Sequence, residues 1–345
     1  MKALKVGDPG QVIWVEQDEP QVGPGEVLLQ PLVCGICASD IKMVQRGNRE
    51  ANPWALGHEL VGRIIAAGEG AQNPIGQRVV AAPYVPCGTC YFCAHQQPTL
   101  CQHLFEQGLD PGGLAERVRI PKLLAERGLL PVPPSLPFEI AALTEPVACC
   151  VQASEACGVT VGDTVLVVGD GPMGLLNAAV ARAHGAALVI VAGLTPRRLE
   201  LAAAHYADVI VHVERENLAQ RVKGLTDGRG ADVVLAAVPS AEAALSGLDA
   251  LRRGGAFNAF AGTAEGTTMP LNLRRLHYDE WRITGSFGVA PHHLRKALEL
   301  LSSGHVDVSP LITGRFPFAE APLAVEHMTR QLGMKAVVMF EYAEG

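Results

Sequence analysis

Val165-Leu-Val-Val-Gly169-Asp-Gly171-Pro172-Met173-Gly174 carries an apolar strand through a G-x-G-x-x-G turn into the start of a helix. Each glycine has a task in such a turn. Gly169 permits the tight bend, Gly171 lets a pyrophosphate approach the backbone, and Gly174 allows close helix–strand packing. Pro172 and Met173 open the helix, whose free N–H groups face the phosphates. A glycine-rich turn without function has the same letters, so the surroundings decide. Apolar strands are expected at 188–191, 209–213, 233–237, 256–260 and 281–285, with helices at 172–183, 197–205, 217–225 and 241–252. Six strands alternating with helices specify an α/β, doubly wound parallel sheet and favour a dinucleotide site.

The strand after the fingerprint should end near an acid that binds the ribose 2′-hydroxyl. This one ends Val189-Ile-Val-Ala-Gly193-Leu-Thr195-Pro-Arg197-Arg198, with glycine in the acid's place. Loss of the carboxylate, together with Arg197 and Arg198, makes room and charge for a 2′-phosphate, so the charge logic favours NADP over NAD. The bland alternative is that both arginines are solvated residues opening a helix.

Working outward, the first 130 or so residues read as short strands between Gly- and Pro-rich turns, a β-rich barrel-like pattern. Within it, Cys87-Gly-Thr-Cys90-Tyr-Phe-Cys93 and Cys101 follow the spacing Cys-x2-Cys-x2-Cys-x7-Cys. One short loop can aim four thiolates at a single ion, and a complete sulfur shell suits a structural tetrahedral zinc. Disulfides are disfavoured because no secretory signal is read ahead of the first strand. An iron–sulfur cluster uses the same thiolates, and spacing alone does not separate the two. The net charge of -7 and the absence of a basic stripe argue against nucleic-acid and anionic-membrane partners. No apolar run is long enough to span a bilayer. Nine cysteines without a signal suggest a reducing, cytoplasmic setting.

Cys34-Gly-Ile-Cys37-Ala-Ser39-Asp40 and Leu56-Gly57-His58-Glu59 form a second set of metal-binding residue types. Together with the cysteine lobe and the later fingerprint, the chain resembles the zinc-containing medium-chain alcohol dehydrogenases over essentially its whole length. The resemblance implies a GroES-like catalytic domain at 1–145 with the structural lobe at 87–101. A Rossmann domain would occupy 146–287 and a return segment 288–345. It also implies two zinc ions per chain. Cys37 and His58 would be catalytic zinc ligands, and Glu59 a neighbouring carboxylate able to bind or approach the metal. Thr144-Glu145-Pro146-Val147-Ala148 matches the polyol branch, where a glutamate supplies the third ligand, which makes Glu145 the candidate. Ser39 would accept the substrate's proton, Asp40 would orient a ligand, His58, and Lys42 stands where the family often has a relay histidine. Lys42 is equally well a surface charge. Cys34, Cys149, Cys150 and Cys157 have no assignable metal partner and are expected as buried small hydrophobes.

A cysteine–histidine–carboxylate set leaves a position for water or substrate. The resemblance therefore implies oxidation of a secondary alcohol (a polyol, sugar or cyclitol) by hydride transfer to NAD(P), in a homodimer or homotetramer. Sorbitol enzymes of this branch usually carry an arginine after a late Gly-x-Phe. Here Gly285-Ser-Phe287 is followed by Gly288, which puts sorbitol itself in doubt. The alternatives are an L-threonine 3-dehydrogenase-like enzyme and a non-catalytic member of the fold. Trp54, Phe105 and His277 are further pocket candidates that serve equally well as core or surface residues.

Overall fold

A computed structural model describes residues 1–48 and 55–341 of the chain; Trp54 lies outside them. Two compact units emerge, one of Met1–Glu145, Val289–Ser302 and Leu311–Gly345, the other of Pro146–Gly288 and Ser303–Pro310. Residues 303–310 thus pack with the second unit, not with the returning segment around them. There the Tyr206 hydroxyl donates to the Asp307 carbonyl at 3.1 Å.

In the first unit, β1 (Lys2–Val6) and β2 (Val12–Glu16) form an antiparallel hairpin. β3 (Val27–Gly35), helix α1 (Ala38–Arg46), β4 (Glu59–Ala67) and β5 (Arg78–Ala81) follow. Next come α2 (Tyr91–Ala94), β6 (Val118–Ile120), α3 (Lys122–Arg127), β7 (Leu129–Pro131) and α4 (Phe138–Ala142). Helix α5 (Thr144–Cys157) then carries the chain into the second unit.

The second unit holds β8 (Thr164–Val168), α6 (Pro172–Ala183), β9 (Leu188–Gly193), α7 (Pro196–His205), β10 (Val209–His212) and α8 (Leu218–Leu225). β11 (Ala231–Ala236), α9 (Ala241–Asp249), β12 (Leu251–Ala259), α10 (Leu273–Tyr278) and β13 (Arg282–Gly285) complete it. Its six strands run in the order β10-β9-β8-β11-β12-β13, every neighbouring pair parallel. All five residues of β8 are buried, as expected for a strand covered on both faces. Leu166, Ile190, Val211, Val234, Phe257 and Trp281 share one core cluster. The strand order reverses at β8, so the turn after β8 sits at the switch point where such sheets bind ligands.

The boundary between α9 and β12 differs most from the sequence expectation. The helix expected over 241–252 ends at Asp249, because the Ala250 carbonyl accepts from Ala231 N–H at 2.9 Å and Leu251 pairs with Ala231. Sheet pairing captures the chain one turn early.

After α11 (Pro291–Ser302), the first unit resumes with β14 (Ile312–Pro317), α12 (Ala321–Thr329) and β15 (Lys335–Met339). The return segment expected at 288–345 thus holds a strand and a helix ahead of its last strand. The larger sheet runs β14-β15-β3-β4-β5-β7, with β6 also on β3. β15 lies antiparallel to β3, opposing Val338 to Cys34. Among the described residues, no helix is long and apolar enough to cross a membrane.

Candidate active site

The end of β3, the start of α1 and the start of β4 bring together the residues of the second metal set. Cys37, His58 and Glu59 place one ligand atom each within 4.8 Å of the others. Asp40 fixes this corner from beneath, 1 % exposed. Its Oδ2 accepts from Cys37 N–H at 2.9 Å and its Oδ1 from Gly57 N–H at 3.2 Å. Asp40 Oδ1 also lies 3.3 Å from His58 Nδ1. A carboxylate on Nδ1 leaves Nε2 as the ligand atom and fixes the ring plane. Burial alone would raise the Asp40 carboxyl, but His58 and the backbone donors hold it below its ordinary range. Burial pulls His58 down; the charges of Asp40 and Cys37 outweigh that and hold it well above its ordinary value. The donor set (a thiol, a carboxylate-backed imidazole and a carboxylate) fits zinc.

Ser39 is exposed on the first turn of α1, its Oγ 3.4 Å from His58 Nε2. Lys42 is exposed three residues further along the same helix. Asp40, Met43, Ala55, Gly57, His58 and Pro83 help line a small hollow beside the group. Phe105 is 64 % exposed and packs edge-on against Tyr84, while His277 is exposed on α10; neither lines this hollow.

Glu145 is buried at the start of α5 but is not drawn into the Cys37–His58–Glu59 group. Glu59 is in the group, yet its carboxylate is already engaged. Lys335 Nζ donates to Glu59 Oε1 and Oε2 at 2.5 and 2.6 Å and to the Ile36 carbonyl at 2.9 Å. Both side chains are buried, 4 % and 0 % exposed. Burial would lower the Lys335 ammonium; Glu59 first, then Cys37 and Glu145, hold it above its usual value. Sequence reading missed Lys335. Its only signal is a lysine opening the apolar run Lys335-Ala-Val-Val-Met339.

Cys87, Cys90, Cys93 and Cys101 also gather within 4.8 Å, around α2, with no disulfide among them. Cys87 Sγ accepts from Thr89 and Cys90 N–H at 3.4 and 3.3 Å, and Cys101 Sγ from Cys87 and His103 N–H at 3.3 and 3.4 Å. Backbone donors aimed at sulfur favour thiolates, and those from Thr89 bring Cys87 down to about 5. Burial and the neighbouring sulfurs push Cys93 up to about 12. Four sulfurs so crowded call for a cation at their centre, which fits zinc. Of the remaining cysteines, Cys34, Cys150 and Cys157 are buried and Cys149 is half-buried.

The fingerprint turn has the form its glycines require. Gly169 has φ +129°, and a Cβ on Gly174 would collide with the Gly169 carbonyl. Beside Gly171 there is open space, a cradle suited to a pyrophosphate. Pro172 and Met173 form the first turn of α6, and Thr195 stands at the N-terminal boundary of α7 ahead of exposed Arg197 and half-buried Arg198.

Residues 172–303 match the zinc-binding dehydrogenase model, and residues 23–134 match the alcohol dehydrogenase GroES-like domain. The chain is 33 % identical over 316 residues to a sorbitol dehydrogenase of Bacillus subtilis, covering 89 % of this chain and 87 % of that protein. It is 32 % identical to an L-threonine 3-dehydrogenase of Pyrococcus horikoshii, covering 88 % and 87 %. A crystal structure from Sinorhizobium meliloti 1021 bound to NADP superposes with TM-score 0.89 at 26 % identity, covering 98 % of both chains. The metal-ligand groups, the fingerprint turn and these likenesses agree: the chain belongs to the polyol branch of the zinc-containing medium-chain alcohol dehydrogenases.

Proposed function

We propose that this enzyme reversibly oxidises a polyhydroxylated secondary alcohol to the ketone, passing hydride to NAD(P), with one catalytic and one structural zinc per chain. The observation that carries the reading is the Cys37–His58–Glu59 group with Ser39 Oγ 3.4 Å from His58 Nε2. When bound there, zinc supplies Lewis acidity that makes an alcohol hydroxyl easier to deprotonate. Cys37 Sγ and His58 Nε2 would hold it, with Glu59 or Glu145 as the carboxylate ligand. Asp40 keeps His58 in the required tautomer and orientation. Ser39 Oγ, exposed beside His58, takes the alcohol's proton as it gives its own to water; Lys42 lies exposed three residues along the same helix. Gly169, Gly171 and Gly174 leave the pyrophosphate its place, and the N-terminus of α6 supplies donors to it.

Arg197 and Arg198 at the start of α7, with Thr195 and side-chain-free Gly193, favour NADP through charge and room, and the Asp170 carboxylate packed against the end of β9 works against that preference. A homodimer or homotetramer is expected; β13 ends its sheet with Ile283 exposed, an edge suited to a second copy. The Pyrococcus relative supports a second reading, an amino-alcohol dehydrogenase acting on threonine.

Metal analysis should return two zinc ions per chain, and a reproducible count of one or none would sink the reading. Full activity in Cys37→Ala would do the same. Polyols, cyclitols, threonine and simple secondary alcohols, each followed by nicotinamide absorbance with NAD and NADP, separate the two substrate classes.

A further inference from the structure

A carboxyl group packed against the end of β9 comes from a residue the fingerprint does not specify. Asp170 is the first variable position of Gly169-Asp170-Gly171, and it is 8 % exposed. Its Oδ2 accepts from Leu194 N–H at 3.0 Å and Thr195 N–H at 2.7 Å, the two donors that follow β9. Its Oδ1 makes no hydrogen bond among the described residues. A Cβ built on Gly193 would lie 2.5 Å from Asp170 Cβ and 2.6 Å from its Cγ and Oδ2. Glycine at 193 is therefore a packing consequence of Asp170. The negative charge missing from the end of β9 is still present; it has moved one strand across, onto the phosphate turn.

We propose that Asp170 is the specificity-determining carboxylate of the dinucleotide site, opposing a 2′-phosphate and offsetting Arg197 and Arg198. The inference rests on the dinucleotide reading above. Two physical facts carry it. The backbone N–H groups of Leu194 and Thr195, which a 2′-phosphate would otherwise draw on, are already consumed. A buried carboxylate also repels a phosphate, whereas its free oxygen accepts from a 2′-hydroxyl. Arg197, exposed to water, attracts the phosphate from the other side under solvent screening.

The test is calorimetric binding of ADP and of 2′,5′-ADP to the full chain, which needs no turnover. Asp170→Asn keeps an oxygen for the two N–H groups and removes the charge. The Kd for 2′,5′-ADP should fall by about tenfold, while that for ADP should not fall, because the amide nitrogen replaces the oxygen that accepts from its 2′-hydroxyl. Equal shifts in both constants, or none in their ratio, would overturn the proposal and leave the dinucleotide site standing. If the wild-type chain binds neither nucleotide, the dinucleotide reading falls and this inference falls with it. Should Asp170→Asn not fold, the exchange D170G/G193D returns the carboxylate to β9. That variant should discriminate between the nucleotides as the wild type does, and loss of discrimination in it overturns the proposal.

Discussion

At Lys335 one ammonium group satisfies both oxygens of Glu59 and the Ile36 carbonyl, all away from water. Removing one partner of such a pair strands a buried charge, which costs about 3–5 kcal/mol, more than the pair itself contributes. Lys335→Met should therefore lower the denaturation free energy by about that amount. Adding Glu59→Gln should recover much of it; a double variant no better than the single would show that the loss lies elsewhere. Gly35 supports the same corner, since a Cβ there would run into Glu59 Oε2. These contacts separate what the letters reveal from what they hide. Cys37, His58 and Ser39 are legible through the family resemblance of the short stretches that hold them. Lys335 and Asp170 are not, because each acts on a partner from another strand and their letters carry no mark of it.

Elements built on local rules were read well. Helix α6 spans Pro172–Ala183, its start set by Pro172 after the glycine turn. Where tertiary pairing decides, as at the end of α9, local pattern gave too long a helix. Two predictions belong at this scale. In the cysteine lobe, Cys93→Ser should retain about one zinc per chain and lose thermal stability, with activity at low temperature declining only as folded protein is lost. A prompt loss of turnover in fully folded protein would contradict a purely structural role. On α4, Glu139 receives two hydrogen bonds from Arg315 at 2.7 and 2.9 Å, which hold its carboxyl below the ordinary range. A carboxyl whose pKa is lower folded than unfolded stabilises above the unfolded value, and loses that stabilisation as pH falls through the folded one. Glu139→Gln should thus cost about 0.5–1 kcal/mol at pH 7, where both groups are partly exposed. Unfolding curves of the two proteins should converge below about pH 4; a gap that persists in acid would show that the charge is not its source.

Over the whole molecule, the doubly wound sheet was legible because one contiguous stretch encodes it with one period. The first unit is assembled from distant stretches. β15 inserts between β14 and β3, and its lysine meets a glutamate 276 positions earlier. That placement sets an order of events during synthesis. The six-stranded sheet can close as soon as its own stretch has left the ribosome, whereas β3 must wait with an open edge until β15 arrives. Through that interval the partly made chain exposes unpaired backbone and a bare glutamate beside it, the state most prone to mispairing with a neighbour. A ribosome stalled short of position 335 would therefore hold a nascent chain whose second half is native and whose first half still needs chaperone cover.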